Sequence, residues 1–438
     1  LCRAAFLGMV FGLSALVSGQ QLGTAGIHGT VYDPQGSIIP AAQVTLTHLD
    51  RNQTWEATTN NQGQYAFPLI PVGSYRISVR SPGFKLFEQS GIVLQVNDNR
   101  KVDVTLEVGD IATRVVVEAA PVAVETSSAT VKTVVDGKRV LELPLNGRNV
   151  LQLGLLVPGT VSAGGGIEGG SKVPADNQKF VINGSRQNNV RFTLDGGDNQ
   201  DNLTNVNAPY PFPDAVEEFS VQTVNPGAEI GKSSAGAVNV VTKSGTNEFH
   251  GSGFWFVRNS ELNATSYFLH QSDNLKRNQA GFTSGGPIRK NHLFFFGGIQ
   301  RTWIRRVPTE SRRLTMPENH RKGDFSDLLR AARPVVVNDP ETRQPFPGNI
   351  IPASRLSPAA QNLLKLSPLP GPDGYTYWRS KADDDLKEYV LRMDWRPSSR
   401  HSLLGRYLQN TYENVRPFDP NNLHSVTNTE RSYSKNAT

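Results

Sequence analysis

The residues of this chain that could do chemistry are eight histidines, one cysteine and scattered carboxylates, and their spacing decides their use. A zinc hydrolase site needs two His and a Glu on the metal, commonly in the pattern His-Glu-x-x-His. None of the eight His is followed by Glu three residues later, and that pattern is absent. The lone cysteine, Cys2, excludes a disulfide framework and a Cys-based zinc site. We therefore predict no catalytic residue, no metal site and no cofactor, and a protein that is not an enzyme.

Two other motifs have the wrong surroundings for chemistry. Residues 164–169 (GGGIEG) match the dinucleotide-binding pattern G-x-G-x-x-G, but Pro158 and Gly159 stand where a strand should end and no helical pattern follows. Residues 195–202 (DGGDNQDN) are acidic, but their spacing misses the calcium-loop pattern. A solvated turn is the favoured interpretation, with adventitious calcium binding as the alternative.

The composition favours many short strands joined by turns. The 438 residues include 40 Gly and 28 Pro, and only 19% are charged. The net charge is +6, but the basic residues are scattered among aromatic residues and form no block. We therefore expect no nucleic-acid binding.

The first 20 residues are predicted to be a signal peptide. Arg3 is followed by an apolar run from Ala4 to Val17 and then by small and polar residues. That run is too short to span a membrane comfortably, and a buried helix is the alternative. We expect the mature protein to be exported.

Residues 26–108 are predicted to form a small antiparallel β-sandwich. Seven short runs alternate apolar and polar residues and are separated by turn formers. The alternation places one set of side chains inward: Val44, Leu46, Tyr75, Ile77, Val79, Val102, Val104 and Leu106.

The turn positions of this segment carry a resemblance. The pattern runs through Gly29-x-Val31-x-Asp33-x-x-Gly36, Ile39-Pro40, Thr59-Asn60-x-x-Gly63-x-Tyr65-x-Phe67 and Pro71-x-Gly73-x-Tyr75. It resembles the carboxypeptidase regulatory-like domain, which implies a transthyretin-like or Ig-like sandwich of the kind grouped with carbohydrate-binding-like folds. The resemblance leaves a structural spacer and a glycan- or peptide-binding module both open.

Residues 109–245 resemble the plug domain of TonB-dependent outer-membrane receptors, which implies an α+β fold. The family phrase is matched at Asp195-Gly196, at Val216-Glu217-Glu218-Phe219-x-Val221, and at Gly231, Gly236, Val238, Asn239, Val241, Thr242 and Lys243. The family's lysine-glycine-proline turn is replaced by Val224-Asn225-Pro226-Gly227.

The resemblance also implies a TonB box just upstream of the plug. The β-branched run that fits consists of Thr113, Arg114, Val115, Val116, Val117 and Glu118, and we expect a TonB-type partner to add a strand there. From its residues alone, this run could equally be the last strand of the sandwich. A polar turn at Arg186, Gln187, Asn188 and Asn189 is a possible ligand contact, with a purely structural turn as the alternative.

Residues 246–438 are predicted to be the first strands of a transmembrane β-barrel. Tyr389, Leu391, Met393 and Trp395 alternate with Val390, Arg392, Asp394 and Arg396, so the first set could face lipid and the second a wet lumen. The candidates for an interfacial aromatic girdle are Phe254 to Phe256, Phe294 to Phe296, Trp303 and Tyr407. From composition alone, a soluble β-sandwich with these aromatics in its core is the alternative.

A resemblance favours the barrel. Residues 285–297 (GGPIRKNHLFFFG), 323–327 (GDFSD) and 337–364 resemble a strand and the long outer loop of Oar-like TonB-dependent receptors. Because roughly 190 residues after the plug are too few for a barrel of about 22 strands, we expect the sequence to be the N-terminal part of a longer protein.

Together these observations predict a mainly β outer-membrane receptor or transporter with three units after its signal peptide: 26–108, 109–245 and 246–438. Its expected partners are a TonB-type energy-transducing protein, outer-membrane lipid and an external substrate, with peptide, glycan and siderophore all open. The competing hypothesis is an outer-membrane surface binding or adhesion protein that binds carbohydrate without active transport.

Overall fold

The chain folds into a mainly β structure. The computed structural model describes these residues: 23–110, 114–118, 130–162, 180–186, 189–200, 207–224, 231, 234–265, 267, 270, 275–306, 311–378, 382–398, 401–415, 419, 422–425 and 430–437. The predicted signal peptide, the GGGIEG motif, Thr113, Gln187 and Asn188 lie outside them.

The first unit is a two-sheet sandwich. Its strands are β1 (Ala25–Tyr32), β2 (Gln43–His48), β3 (Gln53–Thr58), β4 (Gln64–Ile70), β5 (Gly73–Arg80), β6 (Leu86–Leu94), β7 (Asn99–Lys101), β8 (Val104–Thr105) and β9 (Arg114–Glu118). One sheet has the order β4-β1-β7, with β8 also paired to β1, and the other has the order β3-β2-β5-β6-β9.

The alternation of residues along the strands builds the sandwich core. Seven of the eight predicted inward residues are buried, and the eighth, Val102, is half-buried and packs against the same core. Gly29 of β1 lies very close to the backbone between β7 and β8. A Cβ at this position would stand 1.8 Å from the carbonyl oxygen of Val102. Asn60 caps the following turn by accepting the backbone N–H groups of Gln62 and Gln64, each at 2.9 Å.

The β-branched run that follows residues 26–108 is part of the sandwich in this structure. Strand β9 lies at the edge of the five-stranded sheet and pairs in parallel with β6, from Leu86 opposite Arg114 to Ser90 opposite Glu118. The residues alone allowed either a free segment or a strand of the sandwich, and in the structure they form the last strand of the sandwich.

The second unit, which we call the central sheet, is a mixed five-stranded sheet of order β10-β15-β16-β13-β14. Its strands are β10 (Val131–Asp136), β13 (Val190–Leu194), β14 (Gly197–Asp198), β15 (Val216–Val224) and β16 (Gly236–Thr242). A separate two-stranded ladder joins β11 (Thr160–Ser162) to β12 (Phe180–Ile182). Helix α1 (Gly137–Glu142) and a 3₁₀ helix (Val150–Leu156) pack beside the sheet. All seven residues of β16 are buried, and five of them are glycine, alanine or valine.

The third unit is a six-stranded antiparallel meander. Its strands are β17 (His250–Asn259), β18 (Lys276–Arg289), β19 (Leu293–Arg306), β22 (Ala382–Ser398), β23 (His401–Val415) and β24 (Glu430–Ala437). Between β19 and β22 the chain leaves the sheet. There β20 (Ser311–Leu314) and β21 (Tyr375–Trp378) form a two-stranded antiparallel ladder, and α2 (Glu318–Arg321) and α3 (Pro358–Leu364) lie between them in the chain. The predicted long loop, 337–364, lies in this excursion.

The predicted alternation of β22 is confirmed. Tyr389, Leu391, Met393 and Trp395 are 37–48% exposed, whereas Val390, Arg392 and Arg396 are buried. The prediction of an outward aromatic girdle is wrong for Phe294 and Phe296, which are 0% and 1% exposed and face the interior. The period of two explains this, because residues 294 and 296 must share the face opposite Phe295.

The three units pack on one another. The core of the central sheet continues onto the inner face of the meander through Phe296, Val390 and Leu408. The sandwich lies against the meander's turns, where Gln53 Nε2 donates to the carbonyl oxygen of Asn291 at 3.3 Å. Within the described part of the chain, no helix is long and apolar enough to cross a membrane.

Candidate functional site

A cluster of buried charges joins the central sheet to the meander. Asp195, in the turn after β13, has a side chain only 2% exposed. Its carboxylate accepts Arg392 Nη1 at 3.1 Å and Arg406 Nη1 at 2.8 Å, and both arginines lie on the inner face of the meander. It also accepts the backbone N–H of Thr242 at 2.7 Å and the Thr242 hydroxyl at 2.9 Å. The buried carboxylate thus has four donors around it, which is how a charge persists out of water.

The cluster extends to the sandwich. Arg392 also donates to both carboxylate oxygens of Asp394, at 2.9 and 2.8 Å. Arg51 of the sandwich lies 3.9 Å from Asp394, donates to the Ser244 hydroxyl and stacks over the ring of Phe294. We call Arg51, Asp195, Arg392, Asp394 and Arg406 the junction cluster, because these five residues link all three units.

A polar cavity of about 270 Å³ lies beside the junction cluster. His48 lines it, and burial together with the nearby Arg51 guanidinium lowers the pKa of this imidazole to about 3. The ring is therefore neutral at physiological pH, so it adds no charge to the cavity.

The sandwich grips the central sheet at a second place. The backbone N–H of Val96 donates to Glu218 Oε2 at 2.7 Å, and Lys132 Nζ pairs with Asp98 at 2.5 Å. Burial raises the pKa of Glu218 to about 8; the Val96 N–H and Lys132 oppose the shift, and the neighbouring Glu217 and Asp98 add to it. At neutral pH this carboxyl group is therefore largely protonated.

The central sheet contacts the first strand of the meander through Arg148. This guanidinium pairs with Asp214 and lies over the rings of Phe254 and Phe256, at 4.4 and 4.0 Å. Burial lowers the pKa of Arg148, with Asp214 opposing the shift. Gln279 adds a hydrogen bond from β18 to the carbonyl oxygen of Gly147, at 3.1 Å. The interface is thus a mixture of polar and apolar contacts.

The two sets of predicted site residues lie in different parts of the fold. Arg114, Val115, Val116, Val117 and Glu118 form β9, and the Val116 side chain is 60% exposed. Arg186 and Asn189 lie between β12 and β13, where the Asn189 N–H donates to the Arg186 carbonyl oxygen at 3.1 Å. Among the described residues, no group of three His, Cys, Asp or Glu side chains is placed to hold a metal ion.

Three of the five residues of the junction cluster, Asp195, Arg392 and Asp394, stand in sequence motifs, but no motif predicts that they form one site. The alternation of β22 predicts that Arg392 and Asp394 face inward, and an arginine that is buried there, as Arg392 is, needs an acid as its partner. The sequence predicts a solvated turn at Asp195, and this prediction is wrong for its side chain, which is only 2% exposed. That requirement for an acid was the available signal for the cluster.

Comparison with known proteins agrees with this architecture. Residues 26–107 match the carboxypeptidase regulatory-like domain, and residues 241–438 match an outer membrane beta barrel domain. The chain is also 30% identical, over 316 residues, to the TonB-dependent transporter Oar of Myxococcus xanthus. The chain is a homologue of this Oar transporter.

The alignment covers 68% of this Oar-like chain but only 28% of the relative's length. Among solved structures, the siderophore receptor PirA from Acinetobacter baumannii is 16% identical, with a TM-score of 0.38 over 65% of this chain and 32% of the receptor. The ferric enterobactin receptor PfeA from Pseudomonas aeruginosa (mutant R480A) is 14% identical, with the same TM-score over 66% and 34%.

These matches confirm three sequence-based predictions. The chain carries a carboxypeptidase regulatory-like domain and an outer-membrane β-barrel domain. It is located in the outer membrane of a Gram-negative type of cell envelope. Its relative is a transporter and not an enzyme.

Proposed function

We propose that this Oar-like chain is part of a TonB-dependent transporter that binds an external substrate and moves it across the outer membrane. In this proposal, residues 109–245 form the plug, residues 246–438 form the first barrel strands, and residues 1–20 direct export. The observation that carries the proposal is the junction cluster, because Asp195 of the central sheet is held by Arg392 and Arg406 on the inner face of the meander.

A plug that must leave its barrel needs contacts that stabilise the closed state and that water can replace once the plug has moved. Ion pairs and hydrogen bonds meet this need, since water solvates their separated partners, whereas separating a purely apolar interface gains no such solvation. The junction cluster and Gln279 supply contacts of this type between the two units.

The energy would enter through residues 113–118, which we call the handle. A TonB-type partner would pair with the handle by adding a strand, and a pull would then displace the central sheet. Substrate would bind from outside to the long loop and to the turn that contains Arg186 and Asn189. The residues do not select among a peptide, a glycan and a siderophore.

The handle is tested by substituting Val116 in the intact protein. Proline removes the backbone N–H and disrupts strand pairing, so Val116→Pro should abolish energised uptake and leave external substrate binding unchanged. Val116→Thr is the matched control, since it keeps the N–H and a β-branched side chain at a 60% exposed position. Uptake that survives Val116→Pro would show that the handle lies elsewhere.

A protonophore tests the class of function. Uptake by the unsubstituted protein should stop when the proton motive force collapses. If substrate accumulates at the surface regardless of the protonophore and never enters, the protein is a surface binding or adhesion protein, with carbohydrate as the ligand class to test first.

A further inference from the structure

The handle is already engaged in strand pairing in this structure. All five residues of β9 stand in parallel register with β6, so one edge of the handle's backbone is directed at the sandwich. A partner that adds a strand uses the same kind of backbone edge.

The handle occupies the edge of the five-stranded sheet of the sandwich. Strand β6 is fixed on its other side by β5, from Gly73 opposite Leu94 to Val79 opposite Phe87. Strand β9 is the last strand in the sheet and pairs with β6 alone among the described strands. Its central residue, Val116, is 60% exposed. The handle can therefore leave by breaking its pairing with β6, while the described pairs among the other strands of the sandwich stay in place.

A pull on the docked handle would be divided between the central sheet and the barrel wall, that is, the meander, because the sandwich contacts both. The sandwich is tied to the barrel wall, because Arg396 Nη2 donates to the Thr54 carbonyl oxygen at 2.5 Å and its guanidinium stacks on Trp55 at 4.0 Å. Gln53 adds a hydrogen bond to Asn291, in the turn between β18 and β19 of the meander. Force applied to β9 while it lies on β6 would load these contacts with the wall as well as the contacts with the central sheet, whereas a freed handle would transmit force to the central sheet directly through the chain.

From this arrangement we propose that the sandwich and the TonB-type partner compete for the handle. The β6 edge stores residues 114–118, and the partner captures them only after they separate from β6. The carboxypeptidase regulatory-like domain thus regulates access to the handle. This inference rests on the proposed function, because it takes β9 to be the partner's binding segment.

A disulfide between β6 and β9 tests the competition. Glu88 and Val116 are register partners, so Glu88→Cys with Val116→Cys should be bridged on oxidation. The variant is made in the intact protein, with any other cysteines replaced, and bridge formation is followed by mass spectrometry. The probe is the purified periplasmic domain of a TonB-type protein from the same cell. We expect oxidation to weaken its binding at least tenfold, and reduction to restore it.

The control locks a part of the same sheet that the proposal leaves intact. Thr45 and Glu56 are register partners in β2 and β3, and Thr45→Cys with Glu56→Cys should bind the probe equally well oxidised and reduced. If the β6–β9 bridge leaves binding unchanged, the partner adds to the outer edge of β9 and competition is refuted. If neither the unsubstituted protein nor the reduced variant binds the probe, both the handle and the competition are wrong.

A second variant changes binding in the opposite direction. Ser90 pairs with Glu118 of β9 and lies within the irregularity of the β5–β6 register, where proline is best tolerated. Ser90→Pro should loosen the handle and tighten probe binding several-fold. Unchanged or weaker binding by this variant would contradict the competition even if no disulfide forms.

Discussion

In the proposed function the central sheet is the plug, and replacing Asp195 with Asn should then loosen it from the barrel. The change removes one buried negative charge that is paired with Arg392 and Arg406, and it alters the side-chain volume little. Asp195 has a φ of +48°, a left-handed conformation that Asn also tolerates, so the turn itself should remain. Any effect should therefore come from the lost charge.

The free-energy cost of Asp195→Asn depends on which hydrogen bonds of the junction cluster survive the substitution. Breaking a buried ion pair by removing one partner costs about 3–5 kcal/mol. We expect the lower end, about 3 kcal/mol, because Arg392 keeps its two hydrogen bonds to Asp394 and the Asn carbonyl can still accept a hydrogen bond from Thr242. A loss of this size favours plug displacement by roughly two orders of magnitude.

The assay is plug displacement in the intact protein. In planar bilayers, the urea concentration at which conductance appears measures plug release, and heat-modifiable mobility on gels shows whether the barrel is still folded. Asp195→Asn should open at a clearly lower urea concentration than the unsubstituted protein. Asp385→Asn is the control, since its pair with Arg301 is partly exposed, at 27% and 43%. The control should cost less than about 1 kcal/mol.

Equal urea thresholds for Asp195→Asn and the unsubstituted protein, with an intact barrel in both, would refute the reasoning. The junction cluster would then be a by-product of folding and would not hold the plug. An equally large effect of Asp385→Asn would mean that the assay reports general loss of charge pairs.

Two further predictions concern stability. Folding raises the pKa of Glu218 from 4.5 to about 8, so the folded protein binds more protons than the unfolded chain between these values, and stability should fall as pH rises through this window. Glu218→Gln, which still accepts the Val96 N–H, should flatten that pH dependence in urea unfolding; an unchanged slope would assign it to other groups. Gly29→Ala should lower the free energy of unfolding by about 3 kcal/mol because its Cβ would clash with the Val102 carbonyl oxygen. Gly253→Ala, which meets no atom within 4 Å, is the control in thermal unfolding, and equal melting temperatures would contradict the clash.

The alternation of apolar and polar residues along each strand determined much of the local structure of this protein. A strand places successive side chains on opposite faces, so the buried faces of β2, β5 and β22 could be read from their residues alone. Turn-forming residues such as Gly63 and Gly73, both at positive φ, marked where β4 and β5 begin. These are short-range properties, and they do not depend on what packs against a strand.

Tertiary structure decided the contacts between units. The residues of β9 suit a free handle and a sandwich strand equally well, and only the open edge of β6 selects the pairing. Asp195 reads as a solvated turn residue until Arg392 and Arg406, about 200 residues further along the chain, bring it two buried guanidinium groups. A local pattern fixes which face a side chain occupies, whereas the partner on that face comes from distant segments, and the charge of that partner determines the chemistry.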